Sequence, residues 1–168
     1  VVVMNNHYAV YLAVKYLTEL GHTRIGHITS EYRLSNFKAR SGAFTEISQT
    51  LKLTACRKYN YLVPTDIGGY CDSLIEQFDK DDLPTAIVAD NDLIAINACL
   101  ALKKIGKNVP ADVSVIGIDD VTISQIVSPE LTTIRLQKQS MGALAVERLL
   151  QIIRNPESEP IKIFTGAK

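Results

Sequence analysis

Short runs of β-branched apolar residues alternate with segments of helical period along the whole chain, and few folds accept that order. VVV (1–3), RIGHIT (24–29), KYNYLV (58–63), TAIVAD (85–90), VSVIGI (113–118), LTTIRL (131–136) and IKIFTG (161–166) read as strands. Between them YAVYLAVKYLTEL (8–20), NFKARSGAFTEISQTL (36–51), GGYCDSLIEQF (68–78), LIAINACLALKKI (93–105) and GALAVERLLQIIR (142–154) carry helical spacing. Strand, helix, strand, helix predicts a parallel sheet covered on both faces, a three-layer α/β/α arrangement with an open, mostly parallel sheet.

The punctuation agrees with this reading. Asn5 and Asn6 can cap the first helix, Gly21 follows it, Asp66 can cap the segment leading to Phe78, and Gly106 with Pro110 ends the helix before VSVIGI.

Composition excludes several classes. Eighteen basic residues balance eighteen acidic ones, so no excess positive field is present to hold a phosphate backbone, and this stretch alone is not expected to bind nucleic acid. No apolar run reaches the length of a membrane span and no secretory signal is visible. Cys56, Cys71 and Cys99 are odd in number with no CxxC, which predicts reduced thiols and a cytoplasmic setting. His7, His22 and His27 lack metal-ligand spacing, so no metal site is expected. The chain opens in VVVM, inside a strand-like run without an initiator methionine, which predicts an upstream part outside it.

Chemistry concentrates where strands stop. VSVIGI ends at Asp119 and Asp120, and TAIVA ends at Asp90, followed by Asn91 and Asp92. In open α/β sheets the ligand crevice lies outside the carboxyl ends of the strands, so both polar sets fall on one edge if the strands are parallel. Capping explains each residue equally well taken singly: Asn91 can cap the helix it opens and Asp120 the turn that follows. Arg40, behind the loop EYRLSNFK (31–38), reaches the same rim. An arginine, an asparagine and a carboxylate supply the mixed donors and acceptors that hydroxyl groups need, although Arg40 could instead pair with a surface acid. GxSxG, GxxxxGK[ST], GxGxxG and HExxH are all missing, so no catalytic residue and no cofactor is assigned and an enzyme is not expected. Asp119 and Asp120 are adjacent on an extended strand and would point to opposite faces, which disfavours a general acid and base pair.

The segments VVVMNN, GHTRIGHI, ARSGAF, LPTAIVADNDLIAINA, VPADVSVIGIDD and SPELTTIRL, in this order, resemble the lactose-repressor and galactose-repressor family of transcription regulators over nearly the whole chain. The resemblance implies an effector-binding core of two periplasmic-binding-protein-like lobes behind a helix-turn-helix headpiece that this chain lacks. It places residues 1–22 and 136–155 in a partial N-terminal lobe and 23–135 with 156–168 in a complete C-terminal lobe, with LTTIRL as a crossing. Position by position it implies that Arg40, Asn91 and Asp119 bind the effector, with Ser35 and Pro64 in loops lining the same cleft. Asn5 stands where the family often has aspartate, Ala43 where its RxxGF pattern has glycine, and Asn97 where it has a small glycine.

The function implied is sensing of a small polar effector, a sugar or related metabolite, by a repressor that binds operator DNA through its headpiece and works as a homodimer in the cytoplasm. The rival is the sugar-binding component of a transporter, which shares the two-lobe fold. The helix from Met141 to Arg154, with Leu144, Leu149 and Ile152, offers an apolar surface for a dimer or for the remainder of the first lobe.

Overall fold

A computed structural model describes residues 1–32, 34–53 and 58–168; Cys56 lies outside them. The strands are β1 (Val2–Met4), β2 (Ile25–Ser30), β3 (Asn60–Val63), β4 (Ala86–Ala89), β5 (Ser114–Ile118), β6 (Thr132–Ile134) and β7 (Ile163–Thr165), and the helices α1 (Asn6–Glu19), α2 (Ser35–Thr50), α3 (Tyr70–Gln77), α4 (Asp92–Lys104) and α5 (Lys138–Arg154). Strands β2 to β6 form one sheet in the order β3-β2-β4-β5-β6, every pair parallel, while β1 and β7 form a separate parallel pair. The expected α/β/α architecture is what the chain adopts.

Sequence pattern accounts for each layer. Strand β4, AIVA, is buried at all four positions, the continuous apolar run required of a central parallel strand. Its side chains alternate between two cores: Ile87 and Ala89 face Leu74, Ile94, Ala98 and Leu102 of α3 and α4, while Ala86 and Val88 face Val10, Val14 and Leu17 of α1 and Phe44 of α2. Edge strand β3 buries only alternate residues, Tyr61 and Val63. Helix α1 buries Ala9, Val10, Ala13, Val14 and Leu17, a stripe at helical spacing. The Asn5 side chain accepts from the Tyr8 amide at 3.0 Å to start it, and Gly21, at φ +90°, ends it in the left-handed conformation.

The resemblance implies a partial lobe of residues 1–22 and 136–155 beside one of 23–135 and 156–168. In the structure α1 shares the core of β4, β5 and β6, and β1, outside the five-stranded sheet, pairs with β7, Val2 opposite Ile163. Helical periodicity shows that α1 has an apolar face and says nothing about which sheet that face covers. Helix α5 rests on β1 and has no buried residue; Leu149, Leu150, Ile152 and Ile153 stand exposed. Among the described residues no helix is long and apolar enough to cross a membrane.

Candidate functional site

Every strand of the five-stranded sheet runs the same way, so the polar residues after β4 and β5 share its carboxyl edge. Arg40 reaches that edge from α2, and its side chain is completely buried. Its Nε donates to Asn6 Oδ1 at 2.9 Å, one terminal nitrogen donates to the Asp90 carbonyl, and the other to Asp119 Oδ1 at 3.1 Å. Three segments distant in sequence therefore converge on one guanidinium. Arg40 meets the cleft through Asp119, whose side chain keeps 28% of its surface exposed.

Asp119 follows the last buried residue of β5 and sits at φ +128°, with Asp120 at φ +51°. Two successive residues with side chains in positive φ cost on the order of 1–3 kcal/mol each, so the turn must be held from outside. The Asp119 amide donates to the Ile134 carbonyl at 3.0 Å and the Asp120 amide to Thr133 Oγ1 at 3.2 Å. Burial raises the Asp119 carboxyl above the ordinary carboxylate value, and the Arg40 guanidinium opposes that rise.

Asn91 opens α4, and its Oδ1 accepts from the Ile94 amide at 2.9 Å. The cap uses only the carbonyl oxygen and leaves the amide nitrogen for another partner. Its Nδ2 makes no hydrogen bond among the described residues and is free to donate. Asp119 Oδ2 is likewise free to accept. The edge thus offers an amide donor and a carboxylate acceptor braced by a buried cation, a set that fits hydroxyl groups, each of which gives and takes a hydrogen bond.

The two remaining expected residues lie apart from this cluster. Ser35 is the exposed first residue of α2 and lines a groove of about 280 Å³ with Asn5, Asn6, Asn36, Lys162 and Phe164, between the α2 start and the β1–β7 pair. Pro64 follows β3; its carbonyl accepts from Ser30 Oγ at 3.3 Å and its ring faces Gly69.

The structure adds residues that sequence reading passed over. Asp90 is fully buried, with Oδ1 2.9 Å from His27 Nε2 and Oδ2 accepting from Thr29; the His27 ring stacks on Phe44 at 4.7 Å. Asn6, read as a cap, is an Arg40 partner instead. Asp120, also read as a cap, pairs with Arg135. The turn it was expected to cap, 122–125, has Val121 at its start with no side-chain cap of its own. The available signal was a polar residue inside or directly after an apolar strand, which marks His27, Asp90 and Asp92 as much as Asn91.

A family model described as a periplasmic binding protein-like domain matches residues 14–167. The HTH-type transcriptional repressor PurR of Aliivibrio salmonicida is 34% identical over 149 residues, covering 89% of this chain and 45% of that protein. The ribose operon repressor of Haemophilus influenzae is 33% identical over 146 residues, covering 87% and 44%. The chain spans somewhat under half the length of these curated relatives. Among solved structures, a LacI family transcriptional regulator from Enterococcus faecium with bound ribose superposes with a TM-score of 0.82 at 27% identity, covering 99% of this chain and 62% of that one. A CelR–cellobiose complex gives 0.88 at 23% identity, covering 99% and 51%, and supports the fold. The parallel sheet, the polar carboxyl edge and these matches together establish that the chain belongs to the periplasmic-binding-protein-like domain family, in the form carried by regulators of the lactose-repressor and galactose-repressor type.

Proposed function

We propose that this chain is the ligand-sensing part of a DNA-binding transcriptional repressor, and that Asn91 and Asp119, with Arg40 braced behind Asp119, grip a polyhydroxylated effector, a sugar or a close polar relative. The observation that carries the reading is the Arg40–Asp119 pair, a buried cation holding a partly exposed carboxylate on the same sheet edge as Asn91. Ser35, on the separate groove between α2 and the strand pair, is a secondary contact. Pro64, whose contacts are Ser30 and Gly69, serves as wall. Operator DNA is contacted by a helix-turn-helix segment outside this chain, and two copies act together in the cytoplasm. We divide the effector core into a unit of α1 to α4 and β2 to β6 and a second unit to which β1, β7 and α5 contribute.

No chemistry on the ligand is required. A ligand that favours one arrangement of the two units shifts operator affinity by its differential binding, typically 1–3 kcal/mol, or about 5- to 150-fold. A transporter's sugar-binding component would use the same fold, and the relatives' names, repressors in each case reported above, favour the regulator.

Calorimetry with sugars, sugar phosphates and nucleobases tests the site. Asp119→Asn is expected to weaken the best ligand roughly 10- to 150-fold, the value of a charged hydrogen bond of about 1.5–3 kcal/mol. Unchanged affinity in that variant refutes the assignment. The regulatory half fails if operator binding by the longer protein ignores every ligand that binds this chain.

A further inference from the structure

Asp92 is completely buried beneath the turn that carries Asp119, and among the described residues every hydrogen bond of its carboxylate comes from a donor. Its Oδ2 accepts from the Val121 amide at 2.8 Å and from Ser124 Oγ at 2.8 Å, and its Oδ1 accepts from Thr133 Oγ1. Three donors and no acceptor match a carboxylate, which only accepts. Thr133 in turn accepts from the Asp120 amide at 3.2 Å. The two backbone amides that follow Asp119 are therefore both governed by Asp92, one directly and one through the Thr133 hydroxyl. These peptide planes lie on either side of Asp120, and the first of them also sets ψ of Asp119, whose own amide is held by the Ile134 carbonyl, so the side chain that fixes them constrains where Asp119 points. Gly117 completes the arrangement: a Cβ there would stand 2.4 Å from Asp92 Oδ1 and 3.2 Å from Asp92 Cα. The glycine of VIGIDD is required because the Asp92 carboxylate occupies the space above it.

We propose that Asp92 is the positioning residue of the binding edge, acting through the Thr133 relay and the Val121 amide to aim the Asp119 carboxylate at the ligand and Arg40. The proposal rests on the reading of Asp119 as the ligand-binding acid, but its own consequence for Asp119 is measurable without any ligand.

The variants are Thr133→Val, Gly117→Ala and Asp92→Asn, with the pH titration of the Asp119 side-chain carbon followed by NMR. Thr133→Val is the decisive one, because it changes no charge, keeps the side chain's shape and leaves Asp92 bound to Val121 and Ser124. The expected result is amide exchange at Asp120 faster by roughly tenfold, accompanied by a fall of the Asp119 titration midpoint from its raised position toward 3.8 as the carboxyl swings into water. Gly117→Ala, which displaces Asp92 without removing a hydrogen-bonding group, is expected to reproduce both effects and to accelerate exchange at Val121 as well. If Asp120 and Val121 lose protection while the Asp119 midpoint stays in place, Asp92 is a structural buttress only and the proposal falls. It falls equally if the amides keep their protection in Asp92→Asn. D-ribose affinity, measured on the same variants with Asp119→Asn as reference, separates the two readings: ribose bound equally by wild type and Asp119→Asn defeats the ligand assignment and leaves the titration to decide the positioning role.

Discussion

A guanidinium without exposed surface has no water to meet its N–H groups, so Arg40 depends on Asn6, the Asp90 carbonyl and Asp119. Removing one partner of a buried ion pair typically costs 3–5 kcal/mol, because the other charge is stranded. Asp119 retains some solvent, which places Arg40→Met near the lower end, about 3 kcal/mol by urea denaturation; a loss under 1 kcal/mol would show that the pair is a surface contact worth little. Asp119 also predicts a pH dependence. Its folded carboxyl titrates above the ordinary 3.8, so the protonated form is favoured by folding, and its contribution to stability is full below the unfolded value and lost as pH rises through the raised folded value. Affinity for a ligand hydroxyl that needs the carboxylate runs the opposite way, strengthening as pH rises through that window. Calorimetry across the window should show this trend in wild type and its disappearance in Asp119→Asn.

At the scale of elements, strands and helices were legible because burial writes its period into sequence, and most boundaries fall within a few residues of the apolar runs. The carboxyl-edge site was legible for a related reason: a polar residue that ends an apolar strand, as Asn91 and Asp119 do, has few places to be except the rim. What contacts it from outside was not legible. Asn6 and Asn5 are adjacent asparagines at the same helix start, and only the packing of α1 against α2 sends one to Arg40 and the other to the Tyr8 amide. Asp92 looks like an ordinary acid in a helix's first turn, favourable to the helix dipole, until the strand beside it proves to lack a Cβ at Gly117. The same limit applies to α1, whose apolar stripe does not say which sheet it covers. Leu17 is 2% exposed in the core with β4 and β5, so Leu17→Ala should cost about 2–5 kcal/mol and speed amide exchange in β4 and β5. Exchange that changes only in β1 and β7 would return α1 to the strand pair.

At the scale of the whole molecule, the two sheets differ in how completely they are covered. The five-stranded sheet has a core on each face, whereas the β1–β7 pair carries α5 with its apolar side chains in water. The polar carboxyl edge belongs to the five-stranded sheet, and the groove lined by Asn5, Asn6, Ser35, Lys162 and Phe164 lies between the start of α2 and the β1–β7 pair. The hollows beside β6 and along α4 are lined by none of Arg40, Asn91 and Asp119. The most direct measurement is an NMR map of ligand contact, with D-ribose, cellobiose and nucleobases titrated against labelled protein. The account predicts saturable shifts at the Asn91 side-chain amide, the Asp119 carboxyl and Arg40 Nε, abolished in Asp119→Asn. A ligand that binds while those three signals stay still, and that shifts the α4 surface or the β6 groove instead, would contradict it.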